Sequence, residues 1–433
     1  MNSDPGSDPT SSPSSERPLD NFDRPNTEEL RRVITLPWLI LYGIGATVGA
    51  GIYALTGAIA GRAGMLAPAS FGIAALLAIF TALSFAELSA RFPQAGGALI
   101  YVKEGFRSTA LSLVVGLFAA TAGIVSAATV SVGFVGYLAE LVSLPSALPL
   151  VVVVLAIGAV ASWGVKESIV LAGILTIVEV LGLLLVLGFG TVELLESPPS
   201  LGMHWPTGLT ISDGSAVLGG SLLAFYAFLG FEDIVNVAEE VKDVRRVMPR
   251  AILYTLGIST LLYVSVTLVA VLVVTPTELA SSNAPLALVF ETAGGSPELL
   301  ASIALAAMLN GALVQVLMAS RVLFSLARQG LLPKWLSHVH PERRTPIAAT
   351  LFVTAVVAVC ALSQTLESLA AATALIALML FTLVNASLVA LRLRETSSAS
   401  STSPQSPVIP IWVPIVGAIS SALFLALECL RPG

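Results

Sequence analysis

Along this chain the apolar positions neither alternate nor recur at helical spacing against a polar face. They run in blocks, each closed by a short polar segment. Eleven blocks stand out, at 36–61, 66–90, 108–138, 147–163, 168–192, 214–240, 249–274, 298–327, 346–362, 367–391 and 409–430. Most reach or exceed the roughly 18 residues that read as a membrane-crossing helix. Backbone groups in hydrocarbon must pair within the protein, so only helices and closed barrels span a bilayer. Barrel strands would be about ten residues long with strict alternation. These blocks are longer and do not alternate, which predicts an all-α integral membrane protein of about 11 spans. Between and around them, 1–30 is rich in Ser, Pro, Asp and Asn and reads as a disordered tail; 195–207 and 396–407 read as loops. No basic stretch followed by an apolar core opens the chain, so the tail is not a signal peptide.

Composition sharpens this picture. The 433 residues are 56% hydrophobic and only 11% charged, against about 25% charged in soluble domains. That is too little charge to coat a soluble enzyme. With a net charge of −6, there is no basic face for nucleic acid. Cys360 and Cys429 stand alone in apolar surroundings, and the three histidines fall in loops. Neither a disulfide framework nor a metal site follows. No phosphate-binding loop or nucleophile triad occurs, so no enzyme activity and no cofactor are expected. Placing the N-terminus in the cytoplasm puts all but Arg62 and Arg431 of the 21 Lys and Arg on the inner side. That bias fixes orientation and, with eleven spans, puts the C-terminus outside. The outer segments carry Glu140, Glu193, Glu196, Asp213, Glu278, Glu291, Glu298 and Glu367. The expected location is the cell membrane, in contact with lipid.

Two spans contain interruptions. The first holds Gly43, Gly45, Gly49 and Gly51 within nine residues. Gly43 and Gly45 fit either close helix packing or a break. Gly49-Ala50-Gly51 is tighter and near mid-membrane. In the sixth span Gly230 lies between aromatic residues, and Glu232, Asp233 and Asn236 follow it. Carboxylates in a span are costly unless they meet a cavity or the inner mouth; helix-end capping is the other reading of Glu232 and Asp233. Spans one and six are five apart. This predicts two five-helix repeats of inverted topology, each opened by a discontinuous helix, with a solute site where the breaks meet. The repeats are placed at 31–193 and 194–395, and 396–433 holds a linker and the eleventh helix. Free N–H groups at the first break suit a carboxylate. Free carbonyls at the second suit an ammonium. An α-amino acid would bridge them.

The motifs themselves resemble a known group. GIGATVGAGIYALTG (43–57), LSFAELSARFPQAGGALIYV (83–102), FYAFLGFEDIVNVAEEVKDVRRVMPRAI (225–252) and SRVLFSLARQGLLPKWLSHVHPERRTPIAA (320–349) stand in this order. They resemble the amino acid–polyamine–organocation permeases, most closely the bacterial relatives of cationic amino acid transporters. The resemblance implies a five-plus-five inverted-repeat fold. It implies that Val48, Gly49, Ala50, Gly51 and Ile52 hold the substrate carboxylate and that the carbonyls of Phe225, Tyr226, Ala227 and Phe228 hold the amine. Phe231 resembles the aromatic gate over the substrate. The activity implied is secondary transport of an amino acid by alternating access, with a proton as coupling ion; other relatives are exchangers.

Two features depart from the family pattern. Members usually have twelve helices or more, and here only eleven blocks occur, which bears on a homo-oligomer or a small membrane subunit as partner. In the fifth span Glu179 stands where proton-coupled relatives have a lysine. A buried glutamate there would carry a proton, bind another cation or substrate, or make a neutral structural hydrogen bond. Glu87 near the inner end of span two reads as an inner-gate contact or a helix-end acid. Asn310, Gln315 and Asn385 either line the pathway or bond across helices, and Ser126 and Thr129 are small hydroxyls facing the presumed site. The competing functions are amino acid or polyamine exchange, and a non-transporting sensor or assembly subunit of the same fold.

Overall fold

A computed structural model describes residues 32, 34–93, 97–142, 147–163, 169–198, 210–340, 345–397 and 409–430; the tail expected over 1–30 lies outside them. Among these residues the fold is helical, with one isolated parallel bridge between Ile34 and Val241. The first span is split into α1 (Leu36–Thr47), α2 (Ala50–Tyr53) and α3 (Thr56–Ala63). Spans two to five are α4 (Ala67–Arg91), α6 (Thr109–Leu138), α7 (Ala147–Trp163) and α8 (Ile169–Glu196), with the short α5 (Gly97–Phe106) after α4. The sixth is α9 (Ile211–Phe228) continued by a 3-10 stretch, Phe231–Glu240. Next come α10 (Val244–Val273), the short α11 (Pro276–Ser281) and α12 (Pro285–Thr292), then α13 (Pro297–Arg328), α14 (Ile347–Ser363), α15 (Leu366–Ser397) and α16 (Trp412–Cys429). Eight helices are long and apolar enough to cross a bilayer, and Leu36–Thr47, Ala147–Ser162 and Ile347–Ser363 are shorter apolar ones. Together they match the eleven spans expected from the blocks.

The segregation of charge has a local cause at the helix ends. Thr210 caps α9 and Thr275 caps α11, each in a capping box closed by Asp213 or Glu278. Ser296 caps α13, with Glu298 in its first turn. Arg91, Arg328 and Arg394 sit in the last turns of α4, α13 and α15. Acids at helix starts and bases at helix ends both complement the helix dipole. Large aliphatics such as Leu148, Leu155, Leu181, Val359 and Leu423 stay exposed on α7, α8, α14 and α16. On a membrane protein these are hydrocarbon-facing surfaces.

The two interrupted spans cross with their backbones in contact. A Cβ built on Gly51 would overlap the Ala227 Cα, and one on Gly230 would overlap the Ala46 carbonyl oxygen. Gly230 also has φ +123, a conformation other residues rarely take. Gly49 differs: its φ of 171 is ordinary extended backbone, and an added Cβ meets nothing within 4 Å. Gly43 packs on Ile234 and Thr255, and Gly45 on Thr176, so these two serve close packing. The carbonyls freed near the first break are capped by buried phenols. Tyr263 donates to Thr47 O at 2.9 Å, and Tyr137 donates to Tyr53 O at 2.7 Å.

This geometry separates glycines that look alike in the sequence. Gly51→Ala and Gly230→Ala should each cost about 2 kcal/mol or more through overpacking against backbone, whereas Gly49→Ala should stay close to the parent. Thermal unfolding of the detergent-purified variants tests this; equal losses at all three positions would refute the assigned contact.

Candidate substrate site

The breaks open onto a cavity. Val48 ends α1 in an extended conformation, with ψ 132, so the chain leaves the helix and re-enters it at Ala50. The first N–H groups of a helix have no intrahelical partner; here those belong to the turn beginning at Gly49. Across from it α9 ends at Phe228, and Leu229 N–H turns back to Tyr226 O at 3.1 Å. The cavity is lined by Tyr42 and residues 45–51 from the first span, and by Tyr226 and Leu229 from the sixth. Ser126 and Val130 of α6, Thr176 of α8, and Asn310, Gly311, Val314 and Gln315 of α13 complete it. Its water-accessible volume is about 40 Å³. The Ser126 and Tyr226 hydroxyls lie 3.2 Å apart, within hydrogen-bonding distance.

The expected site residues divide into three groups. Val48, Gly49, Ala50, Gly51, Tyr226 and Asn310 line this cavity. Ile52, Phe225, Ala227, Phe228 and Phe231 do not; they are fully buried. Phe225 and Phe231 join Phe85 and Phe381 in one aromatic cluster, with Phe231 5.5 Å from Phe381 and 6.2 Å from Phe85. Phe228 packs against Tyr263 at 5.2 Å. Glu232 and Asp233 face a second chamber of about 70 Å³, lined also by Phe85, Gly123, Asn236 and Met318. Gln315 belongs to both chambers and its Nε2 reaches Asp233 Oδ2 at 3.5 Å. Glu232 accepts the Gly230 N–H at 2.9 Å, a helix-start contact of the kind that caps the 3-10 stretch.

Glu179 sits behind the cavity wall, one turn after Thr176. It is 1% exposed, and among the described residues no cationic group pairs with its carboxylate. Asn310 lies beside it, as do the phenols of Tyr53 and Tyr263. Tyr53 donates to the Glu179 backbone carbonyl at 2.7 Å, which ties α2 to α8. The ion pairs among the described residues lie elsewhere.

Comparison with known proteins decides the family. Residues 34–432 match the amino acid permease family AA_permease_2. The chain belongs to that family. The branched-chain amino acid permease BcaP of Bacillus subtilis (strain 168) is 31% identical over 356 residues, covering 77% of this chain and 75% of that protein. Cationic amino acid transporter 3, mitochondrial, of Arabidopsis thaliana is 30% identical over 359 residues, covering 77% of this chain and 58% of that one. In shape, the permease matches the solved structure of MhsT in complex with L-phenylalanine, with a TM-score of 0.63 over 92% of this chain and 99% of that chain, at 15% identity. The permease therefore has the five-plus-five inverted-repeat fold of secondary amino acid transporters.

At the basic end of the permease, Glu87 is the hub of an ion network and lines neither chamber. Arg392 of α15 donates to it from Nε at 2.8 Å and Nη2 at 2.5 Å, and the Ile409 N–H adds a third bond at 2.9 Å. Arg91 pairs with Glu87 at 2.7 Å and with Glu395 at 2.6 Å. The network joins α4, α15 and the segment leading into α16. Asn385, the other polar residue of α15 noted in the sequence, bonds Thr81 and Ser84 of α4 instead. Arg392→Met, by leaving the fully buried Glu87 short of its bidentate partner, should destabilise the permease by about 3 kcal/mol. Adding Glu87→Met should recover part of that loss. A double-mutant thermal-unfolding cycle reads the coupling, and additive losses would show that the pair does not interact.

Proposed function

We propose that the permease imports an amino acid by proton-coupled alternating access, with its basic end in the cytoplasm. The substrate carboxylate would bind the N–H groups at Val48 to Ile52. Its ammonium would meet the carbonyl end of α9 at Tyr226, the residue of Phe225 to Phe228 that lines the cavity. This uses both helix ends in the sense their dipoles favour. Phe231 and the aromatic cluster then act beneath the substrate by packing the second break.

The observation that carries the coupling is Glu179. A carboxylate sealed from water without a cationic partner is neutralised most simply by a bound cation. A proton is the cation proposed, because it needs only the carboxylate itself, with the Asn310 amide and the Tyr53 and Tyr263 phenols nearby. Asn310, which borders both the cavity and Glu179, supplies the contact between substrate and coupling group. Membrane lipid covers the apolar flanks. A homo-oligomer or small subunit would use the outer surface of α16, outside the ten-helix core.

The test is uptake of radiolabelled amino acids by purified permease in liposomes with an alkaline interior. For one proton per substrate, a one-unit pH gradient sustains up to about tenfold accumulation. Collapsing the gradient with an ionophore should abolish it. Glu179→Gln should abolish accumulation but retain counterflow, in which labelled and unlabelled substrate exchange without net proton movement. Gradient-driven accumulation by the Gln variant would overturn the role of Glu179. Accumulation that needs internal amino acid and ignores the gradient would assign exchange.

A further inference from the structure

We infer that the cavity selects neutral aliphatic amino acids over cationic ones, and that Gly311 of α13 sets the side-chain size it accepts. The inference rests on the proposed amino acid site and names its substrate class.

Charge comes first. Among the described residues no Asp, Glu, Lys, Arg or His lines the cavity. The carboxylates of the sixth span, which the sequence offers as partners for a cationic side chain, face the other chamber across Gln315. Glu232 accepts the Gly230 N–H, and the Gln315 amide stands 3.5 Å from Asp233. The ammonium of a lysine or the guanidinium of an arginine would therefore enter without a partner, and an unpaired buried charge is heavily penalised. Glu179 lies outside the lining, behind Thr176 and Asn310.

Size comes next. The wall away from the two breaks is apolar where Val130 of α6 faces Gly311 and Val314 of α13. A Cβ added to Gly311 meets no atom closer than the Val130 Cγ1, at 4.0 Å. Gly311 thus leaves an open slot between α6 and α13, unlike Gly51 or Gly230, whose missing side chains are occupied by neighbouring backbone. A methyl group there would fill the slot while touching Val130 at ordinary contact distance. With about 40 Å³ open to water in all, and roughly 10–15 Å³ of such volume needed per water, the cavity holds a few waters. That scale favours a small substrate over one that carries an indole.

The experiment is counterflow in liposomes, which does not require ion coupling. Liposomes preloaded with unlabelled alanine take up labelled alanine, and other amino acids compete from outside. Alanine and valine should compete at least about tenfold better than lysine or arginine. Gly311→Ala should weaken leucine competition relative to alanine by about tenfold, the scale of one methylene in an apolar pocket. Val130→Ala should strengthen competition by leucine and phenylalanine. Val314→Asp should bring lysine into the accepted set. Lysine competing equally with alanine in the parent would overturn the charge argument. An unchanged size order in both the Gly311 and Val130 variants would overturn the slot. Exchange of no amino acid at all, by folded protein, would overturn the amino acid site itself and this inference with it.

Discussion

Everything in this permease depends on two broken helices whose backbones touch. A helix may unwind within a bilayer only if its freed groups are satisfied inside the protein. Contact of Gly51 with Ala227 and of Gly230 with Ala46 leaves no room for lipid or side chains between the breaks. The phenols of Tyr137 and Tyr263 reach in from α6 and α10 to cap the carbonyls of Tyr53 and Thr47. What remains uncapped faces the cavity. On the proposed reading the site is the part of the unwound backbone that neighbouring helices do not satisfy, and a zwitterion is the solute that would complete the pairing.

The surrounding polar groups are sorted by this arrangement. Hydroxyls and amides line the cavity, whereas the acids of the sixth span lie beyond Gln315 in the second chamber. The strongest ion network, around Glu87, is kept at the basic end, where α4 meets α15. There, too, the chain before α1 pairs with the chain after the 3-10 stretch. Ile34 N–H bonds Glu240 O at 3.0 Å, and Lys242 N–H bonds Ile34 O at 2.9 Å. Backbone bonds, not the exposed Arg246–Asp243 pair at 3.8 Å, link these two segments. An exposed pair of that kind contributes little.

The spans were legible in the sequence because hydrocarbon thickness imposes a length that few other constraints mimic. The breaks were legible because glycines cluster where backbone must approach backbone. Their individual roles were not: Gly49 and Gly51 are two residues apart and alike in sequence context, yet one faces open space and the other a Cα atom. Cavity residues on other helices left almost no trace. Thr176, Val130, Gly311 and Val314 are ordinary residues of an apolar span, and only tertiary packing makes them a wall. The aromatic residues misled in the opposite sense. Phe225, Phe228 and Phe231 sit in the motif of the second break, but their rings hold the break in place from outside the cavity. From that segment only Tyr226 and Leu229 line the cavity, and a sequence motif does not tell a residue that lines a cavity from one that packs behind it.

Glu179 joins these lines of argument. Its own carbonyl receives the Tyr53 hydroxyl from the helix that restarts after the first break, and its carboxylate lies beside Asn310 of the cavity wall. On the proposed reading, a movement of α2 that admits or releases substrate would shift Tyr53 and so alter the packing around this carboxylate. A lysine at this place would bring a permanent positive charge when protonated, close to the break that receives the substrate carboxylate. A glutamate reverses the electrostatic logic: ionised, it repels that carboxylate, and protonated, it does not. On the proposed reading, substrate and proton then favour each other by simple Coulomb interaction across a medium of low dielectric. That mutual preference is the thermodynamic requirement of symport, since a ligand pair can be coupled only through its differential affinity for the states it shares.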